Sequence, residues 1–206
     1  LDSELTAIAG LTSAADKGIQ FTGSGTAATF DLTAAGKALL DDATAATQRG
    51  TLQMSNNVIQ VVTTLLTTKP NVAGGGMLDV SGFSATITPR YNTSTILIMV
   101  NTRVGSSNGG GAAATTIHFL GLKANTVQIV TPTSPVNCMT SVFTEKWDVC
   151  QPVSFDYVHS PGSVSAQTYQ VTGYATGSHT MRFNERGVGD GSYGGVSTIT
   201  LMEIAA

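Results

Sequence analysis

The side chains that could carry out metal or phosphate chemistry are few and scattered along this chain. The three histidines, His118, His159 and His179, are far apart and form no His-x-His pair. A metal site gathers several ligands around one ion, so this spacing favours satisfied or exposed histidines and predicts no metal site. The glycine-rich stretch at 105–111 does not lie between a strand and a helix, so it does not indicate a phosphate site. We expect no cofactor.

The carboxylates do not indicate a catalytic pair. Glycan hydrolysis needs two carboxyl groups within several ångströms of the bond that is cleaved. Glu185 and Asp190 are near neighbours, but both lie in a glycine-rich loop, whereas catalytic groups are usually held by rigid supporting residues. We therefore expect no enzymatic activity, and a glycan-degrading enzyme is kept as an alternative.

Composition narrows the class of protein. The chain has 206 residues, of which 11% are charged, against about 25% in ordinary soluble domains. Glycine, serine and threonine are abundant instead, which suits β structure. The net charge of -3 provides no basic surface for nucleic acid. The longest apolar run, Ile96 to Val100, is too short for membrane insertion.

Two cysteines, Cys138 and Cys150, are too few for a disulfide scaffold. They flank a predicted strand and turn, and a tight hairpin would leave them out of register. We expect free thiols, because a disulfide requires close and well-directed Cβ atoms.

The pattern of the chain changes near residue 55. Before it, residues 1–55 alternate short helical stripes with a glycine-turned hairpin around 23–25. After it, residues 56–206 show short β-branched runs at regular spacing, separated by glycine and proline turns, which is typical of a sandwich or barrel. The chain begins inside a helical pattern and without methionine, so we expect a fragment or processed form.

The last predicted strand is apolar on both faces. Val196, Met202 and Ile204 point one way, and Ile199 and Leu201 point the other. A strand with two apolar faces needs a second partner besides its own core, and another copy of the chain can supply it. We place Ile199 and Leu201 at the subunit contact. Leu39, on a helical stripe of small residues, is expected to join it.

Several segments together resemble the shaft and head of bacteriophage tail fibres. The shaft-like pieces are LTSAADK at 11–17, FTGSGTA at 21–27 and LLDDA at 39–43, followed by Gln48-Arg49 and Leu52; the head-like pieces are ATITP at 85–89, STILIMVN at 94–101, SFDY at 154–157 and STITLMEI at 197–204. The resemblance implies a virion tail-fibre protein, a homotrimer that follows upstream tail or baseplate components. It also implies a distal head that contacts a host-surface glycan or outer-membrane receptor. Three copies of one histidine could still assemble a metal site on the trimer axis.

We expect a mainly β protein: a jelly-roll-like antiparallel β-sandwich head at 56–206 on a short mixed α/β trimeric shaft at 1–55. If successive strands alternate in direction, the loops at 89–93, 122–137, 160–165 and 184–195 lie at the end away from the shaft. The loops at 105–114, 145–151 and 177–179 then lie beside the shaft, and Trp147 would anchor the head there.

Loops on a rigid scaffold commonly carry binding residues. The predicted receptor-binding residues are Tyr91, Asn92, His159, Asn184, Glu185, Arg186, Asp190 and Tyr193. In the alternative interpretation, Glu185 and Arg186 merely pair with each other or with a neighbouring subunit. A purely structural fibre or appendage protein, whose head only promotes trimer folding, has the same composition.

Overall fold

The computed structural model describes residues 2–54, 57–107, 116–131, 140–144, 149–190 and 194–205. The chain forms two compact units, Leu1–Ser55 and Asn56–Ala206. No helix in these described ranges is long and apolar enough to cross a membrane.

The first unit consists of short capped helices around one hairpin. Asp2, Thr33 and Thr44 accept backbone N–H bonds at the starts of the three helices, as expected of N-cap residues. Gly25, with φ of +66°, closes the hairpin turn. In chain order the elements are α1 Ser3–Ala9, β1 Lys17–Gly23, β2 Thr26–Asp31, α2 Ala34–Asp41 and α3 Ala45–Thr51.

The described part of the first unit contains no buried residue. Its largest apolar side chains are exposed instead, including Phe21 at 61% and Leu40 at 74%, while Leu39 is half-buried. A unit of this kind buries too little apolar surface to offset the entropy of ordering its chain.

The second unit contains two antiparallel sheets. The first sheet has the order β3-β13-β6-β12-β4, with β10 also paired to β6, and the second has the order β5-β11-β7-β8, with β9 also paired to β7. The strands are β3 Val58–Leu66, β4 Asn71–Ala73, β5 Met77–Ile87, β6 Thr95–Ser107, β7 Thr116–Ala124, β8 Val127–Val130, β9 Thr140–Thr144, β10 Cys150–His159, β11 Gln167–Ala175, β12 Thr180–Phe183 and β13 Ser197–Ile204.

The long strands are arranged as an eight-stranded jelly roll. Four of them form the series β3-β13-β6-β10, and the others form β5-β11-β7-β8. Successive long strands thus cross mostly between the sheets rather than pairing with their sequence neighbours, which distinguishes a jelly roll from an up-and-down barrel. The predicted mainly β, jelly-roll-like antiparallel sandwich is confirmed.

The prediction that Ile199 and Leu201 form the subunit contact is wrong. Ile199 and Leu201 are completely buried in the chain's own core. Each stabilises the sandwich by about 1.5–3 kcal/mol through burial of its side chain, and neither is available to another subunit. The alternate residues of β13, including Met202 and Ile204, are only partly covered. Both faces of β13 are apolar, so the sequence pattern could not distinguish the inner face from the outer one.

One edge of β6 is occupied by two strands placed end to end. Because β10 pairs with Ile96 to Gly105 along one edge, β12 and β13 must share the other edge, against 104–107 and 95–101 respectively. Both are antiparallel to β6, so β12 and β13 run in the same direction. The stretch 184–196 between them leaves this edge and returns to it.

Most of the predicted loop positions are wrong, because β12 and β13 run in the same direction. We call the end of the sandwich where β3 begins and β13 finishes the near end, and the opposite end the far end. Loops 89–93 and 160–165 lie at the near end, whereas 177–179 lies at the far end. The ends of 184–195 keep their predicted place at the far end, and the loops at 105–114, 122–137 and 145–151 lie partly outside the described residues. The prediction assumed that every strand reverses direction, and β12 and β13 do not.

Candidate functional site

The predicted receptor-binding residues do not form one cluster. Asn184, Glu185, Arg186 and Asp190 lie at the far end, in the stretch between β12 and β13. The other described members, Tyr91, Asn92 and His159, lie at the near end. Tyr193 lies outside the described residues, as does Trp147.

Asn184 is a buried clamp rather than a binding residue. Its amide nitrogen donates to the carbonyl oxygens of Leu66 at 2.8 Å and Thr68 at 3.0 Å, and its amide oxygen accepts from the Ser197 hydroxyl at 2.6 Å. Ser197 therefore uses its only proton on Asn184 and accepts from Thr102 at 2.7 Å. This chain of bonds fastens both ends of the 184–196 stretch to the first sheet.

Glu185 is also buried and has an internal partner. Its side chain is paired with Arg182, which donates at 2.8 Å. A Cβ at Gly105 would lie 2.5 Å from the Glu185 carbonyl oxygen, so only glycine lets the stretch pass this closely over β6. The prediction that Asn184 and Glu185 contact a receptor is wrong, because both side chains are enclosed by the chain itself.

Arg186 and Asp190 form an ion pair within the same stretch. The alternative that Glu185 and Arg186 pair with each other is wrong, because Glu185 pairs with Arg182 and Arg186 pairs with Asp190. The two carboxylates considered for hydrolysis, Glu185 and Asp190, are each bound by their own arginine.

At the near end, the predicted residues are attached to the sandwich. The Nδ1 atom of His159 lies 2.9 Å from the Tyr169 hydroxyl, and burial lowers the pKa of this histidine. In the 89–93 turn, the backbone N–H of Arg90 and, more weakly, that of Tyr91 donate to the fully buried Glu203. Asn92 is exposed on the turn.

Two of the three histidines come together, which their spacing in sequence did not indicate. His118 is fully buried, and neither ring nitrogen has a hydrogen-bond partner. Burial, and secondarily the charge of His179, lower the pKa of His118 to about 4. Among the described residues, no group of three metal-ligating side chains occurs.

Gly105-Ser106-Ser107-Asn108-Gly109 has the Gly-x-Ser-x-Gly spacing of a nucleophile elbow. Ser107 nevertheless belongs to strand β6 and not to a strand-to-helix turn. Its hydroxyl bonds the backbone of Thr180, accepting from N–H at 3.1 Å and donating to the carbonyl oxygen at 3.4 Å. The serine therefore joins β6 to β12.

The outer face of the first sheet carries an unpartnered apolar patch. Met202 lies opposite Val61 on one side and Leu97 on the other, and Leu97 in turn lies opposite Val158. Val61 and Val158 are more than half exposed. We define the apolar patch as Val61, Leu65, Leu97, Met99, Val158, Met202 and Ile204.

Toward the far end, the same outer face opens into a groove of about 360 Å³. Strands β6 and β10 form its floor, where Arg103 lies opposite Pro152 and Asn101 lies opposite Ser154. The lining residues, which define the Arg103 groove, are Asn101, Thr102, Arg103, Pro152, Val153, Ser154 and Val196.

Arg103 is the charged residue of this groove and was not among the predicted site residues. Its stem packs against the backbone at Gly195, where an added Cβ would lie 2.7 Å from the arginine Cδ. In the part of the chain that the structure describes, the guanidinium makes no ion pair or hydrogen bond. Burial raises the pKa of the nearby Cys150 thiol, and the charge of Arg103 opposes that rise. Cys150 is a free thiol, and Cys138 lies outside the described residues.

A signal for Arg103 was present in the sequence. The outward positions of β6 are Thr95, Leu97, Met99, Asn101 and Arg103, so the outer face changes from apolar to polar partway along one strand. The predicted binding residues lie mainly in loops, whereas Arg103 is an outward residue of a strand.

No family model and no curated protein matches this chain. Among solved structures, the chain is similar to one of the Gx strain of infectious bursal disease virus, with a TM-score of 0.31 and 12% identity over 71% of this chain and 37% of that one. It is also similar to the VP2 subviral particle of the same virus, with a TM-score of 0.30 and 9% identity over 72% of this chain and 38% of that one. The chain thus spans well under half the length of these viral proteins.

Proposed function

We propose that the chain is the distal part of a homotrimeric bacteriophage tail fibre, which attaches the virion to a host-surface receptor and does not cleave it. Residues 1–55 form the shaft or neck, which follows upstream tail or baseplate components. The second unit is the head that meets a glycan or outer-membrane receptor.

The observation that carries this proposal is the outer face of the first sheet, which combines the apolar patch with the Arg103 groove. An exposed apolar surface of this kind marks an interaction site. The residues of the patch are uncharged, and the nearest charge on this face is the exposed Asp156 of the edge strand β10, opposite Met99. A second copy can therefore cover the patch if Asp156 stays at the rim in contact with water. Each large side chain that becomes fully buried there contributes about 1.5–3 kcal/mol.

The first unit supports the same arrangement. Its described residues include exposed Phe21 and Leu40 and no buried side chain, so it needs a partner to be stable. Identical copies would supply a partner to both units at once. Leu39 remains the proposed contact in the first unit, and the apolar patch replaces Ile199 and Leu201 in the second.

Attachment through a trimer gains strength from multivalency. Three modest sites on one rigid assembly bind a surface far more tightly than one site does, because the second and third contacts form at high effective concentration. The head provides one such groove per chain, built on β6, which is paired along both edges, and on β10, which is paired with β6.

The test is the mass and the cell binding of the purified chain. Light scattering should give three times the chain mass of 21.1 kDa, and fluorescently labelled protein should bind cells of at least one strain in a panel of bacterial hosts. Bound cells should keep their surface glycan undegraded. A monomeric mass would overturn the trimer, and a trimer that binds no strain would favour a purely structural fibre protein.

A further inference from the structure

We propose that the Arg103 groove binds an acidic saccharide, whose carboxylate or sulfate group is received by the Arg103 guanidinium. This inference rests on the proposed attachment function and names the chemistry of its receptor.

First, the arginines near the far end of the sandwich differ in whether they form an ion pair. Arg182 is paired with Glu185, and Arg186 is paired with Asp190. Arg103 differs from both, because its guanidinium has no partner in the described part of the chain and none of the residues lining its groove is acidic. A planar guanidinium offers paired donors that match the two oxygens of a carboxylate or sulfate.

The second step is the mixed character of the lining. Pro152 and Val196 supply apolar surface, and Asn101 and Ser154 supply an amide and a hydroxyl. A sugar ring has an apolar face and a rim of hydroxyl groups, so this combination suits it better than it suits a bare anion. The volume of about 360 Å³ falls at the lower end of small-molecule sites.

The third step is rigidity. Arg103 lies on β6 opposite Pro152 of β10, and on the other edge its carbonyl oxygen accepts from the Asn184 backbone N–H at 3.0 Å. The glycine at 195 lets the backbone lie against the arginine stem. Beneath the groove, the bonds from Thr102 through Ser197 to Asn184 hold the wall in place. A site on strands with locked supports is preorganised for its ligand.

The experiment titrates the full chain with oligosaccharides of one backbone in three forms: uronic acid, carboxyl-reduced neutral sugar and sulfated sugar. Inorganic sulfate is the fourth probe. We expect the two acidic forms to bind at least about tenfold more tightly than the neutral form, as expected for hydrogen bonds to a charged group. Sulfate alone should bind much more weakly than the sulfated sugar.

Three variants locate the binding. Arg103→Gln should weaken acidic-saccharide binding by about tenfold or more, and Arg103→Lys should recover only part of it, because lysine lacks the planar fork. Ser154→Trp should block the groove from the neighbouring strand without touching the arginine. The matched control is Arg90→Gln, which removes another exposed arginine charge, at the near end, and should leave binding unchanged.

The outcomes separate this inference from the proposed function. If the trimer binds cells and Arg103→Gln binds them equally well, the groove proposal is overturned and the attachment proposal stands. Equal affinity for acidic and neutral sugars, or an equal loss in Arg90→Gln, would also overturn it. If Arg103 is covered by another copy in the trimer, Ser154→Trp will change the mass of the assembly instead of saccharide affinity, and that result contradicts a ligand groove.

Discussion

The two halves of the outer face of the first sheet share the same strands and differ in what those strands present. Near the beginning of β6 the outward residues are Leu97 and Met99, and farther along they are Asn101 and Arg103. Strands β6 and β10 continue through both halves, whereas on the other edge of β6 the strand β13 pairs with 95–101 and β12 with 104–107. The change from the proposed subunit contact to the proposed ligand groove therefore has two causes: the outward side chains of β6 become polar, and the adjacent edge passes from β13 to the 184–196 stretch, which brings Gly195 and Val196 beside Arg103.

The largest effects are expected in β13, because its adjacent residues alternate between the core and the outer face. Leu201→Asp places a carboxylate in the core and should prevent folding of the head, because an unpaired charge cannot be accommodated there. Met202→Asp places it in the apolar patch and should yield a folded monomer. Circular dichroism and light scattering distinguish these states.

Asn101→Asp is the matched control for Met202→Asp, because it adds the same charge to the polar half of the same face. Its mass should remain that of the trimer. A trimeric Met202→Asp protein would show that the apolar patch is not the subunit contact.

Asn184→Ala tests the support of the polar half. It removes the amide donor to the Leu66 and Thr68 carbonyl oxygens and the acceptor for the Ser197 hydroxyl. We therefore expect the free energy of unfolding to fall by about 3–5 kcal/mol. Denaturant unfolding measures this loss. Asn184→Gly separates the backbone contribution, since glycine adopts the observed φ of +58° without strain. If the glycine variant is as stable as the wild type, the clamp is unimportant.

Acid should destabilise the sandwich through His118, which lies at its far end. The folded pKa of this histidine, about 4, is below its ordinary 6.5, so the unfolded chain binds more protons between these values. Stability should therefore fall as the pH drops from 6.5 to 4, by about 3 kcal/mol in total. The measurement is the free energy of unfolding against pH.

His118→Phe provides the control for the acid effect, because it keeps a ring in the core and removes the titrating group. Its stability should depend much less on pH across this window. An unchanged pH dependence in the variant would assign the effect to other groups.

The smallest expected effect lies at the boundary between the two halves. The hydroxyls of Thr63 and Thr200 are 3.0 Å apart on the outer face. Thr200→Val keeps the shape and removes this exposed bond, so the free energy of unfolding should change by less than about 1 kcal/mol. Thermal unfolding measures it, and the trimeric mass should be unaffected. A larger loss would mean that this bond is protected from water by a subunit.

Much of the fold could be predicted from the sequence. Regular short strands and glycine turns indicated the sandwich, and the two apolar faces of β13 were recognised. The choice between those faces was wrong, because Ile199 and Met202 are equally apolar and only the neighbouring sheet decides which one is enclosed. The loop positions failed because no local pattern reveals that β12 and β13 run in the same direction.

The site was less predictable than the fold. Asn184 and Glu185 have the polar side chains of binding residues, but tertiary bonds to Leu66, Thr68 and Arg182 enclose them. Arg103 is the opposite case. It lies on a strand, and it is a candidate binding residue because its guanidinium has no partner among the described residues. Whether a side chain finds a partner depends on residues that are distant in sequence, so the local spacing of residues does not predict it.

The stretch between β12 and β13 has a consequence for how such a protein can change. It leaves and rejoins one edge of β6, and its base is closed by Asn184 and Ser197. Its length can therefore vary with little effect on strand register, since lengthening a closed surface loop costs little free energy. Insertions or deletions in this stretch should therefore leave the sandwich folded and the strand pairings unchanged.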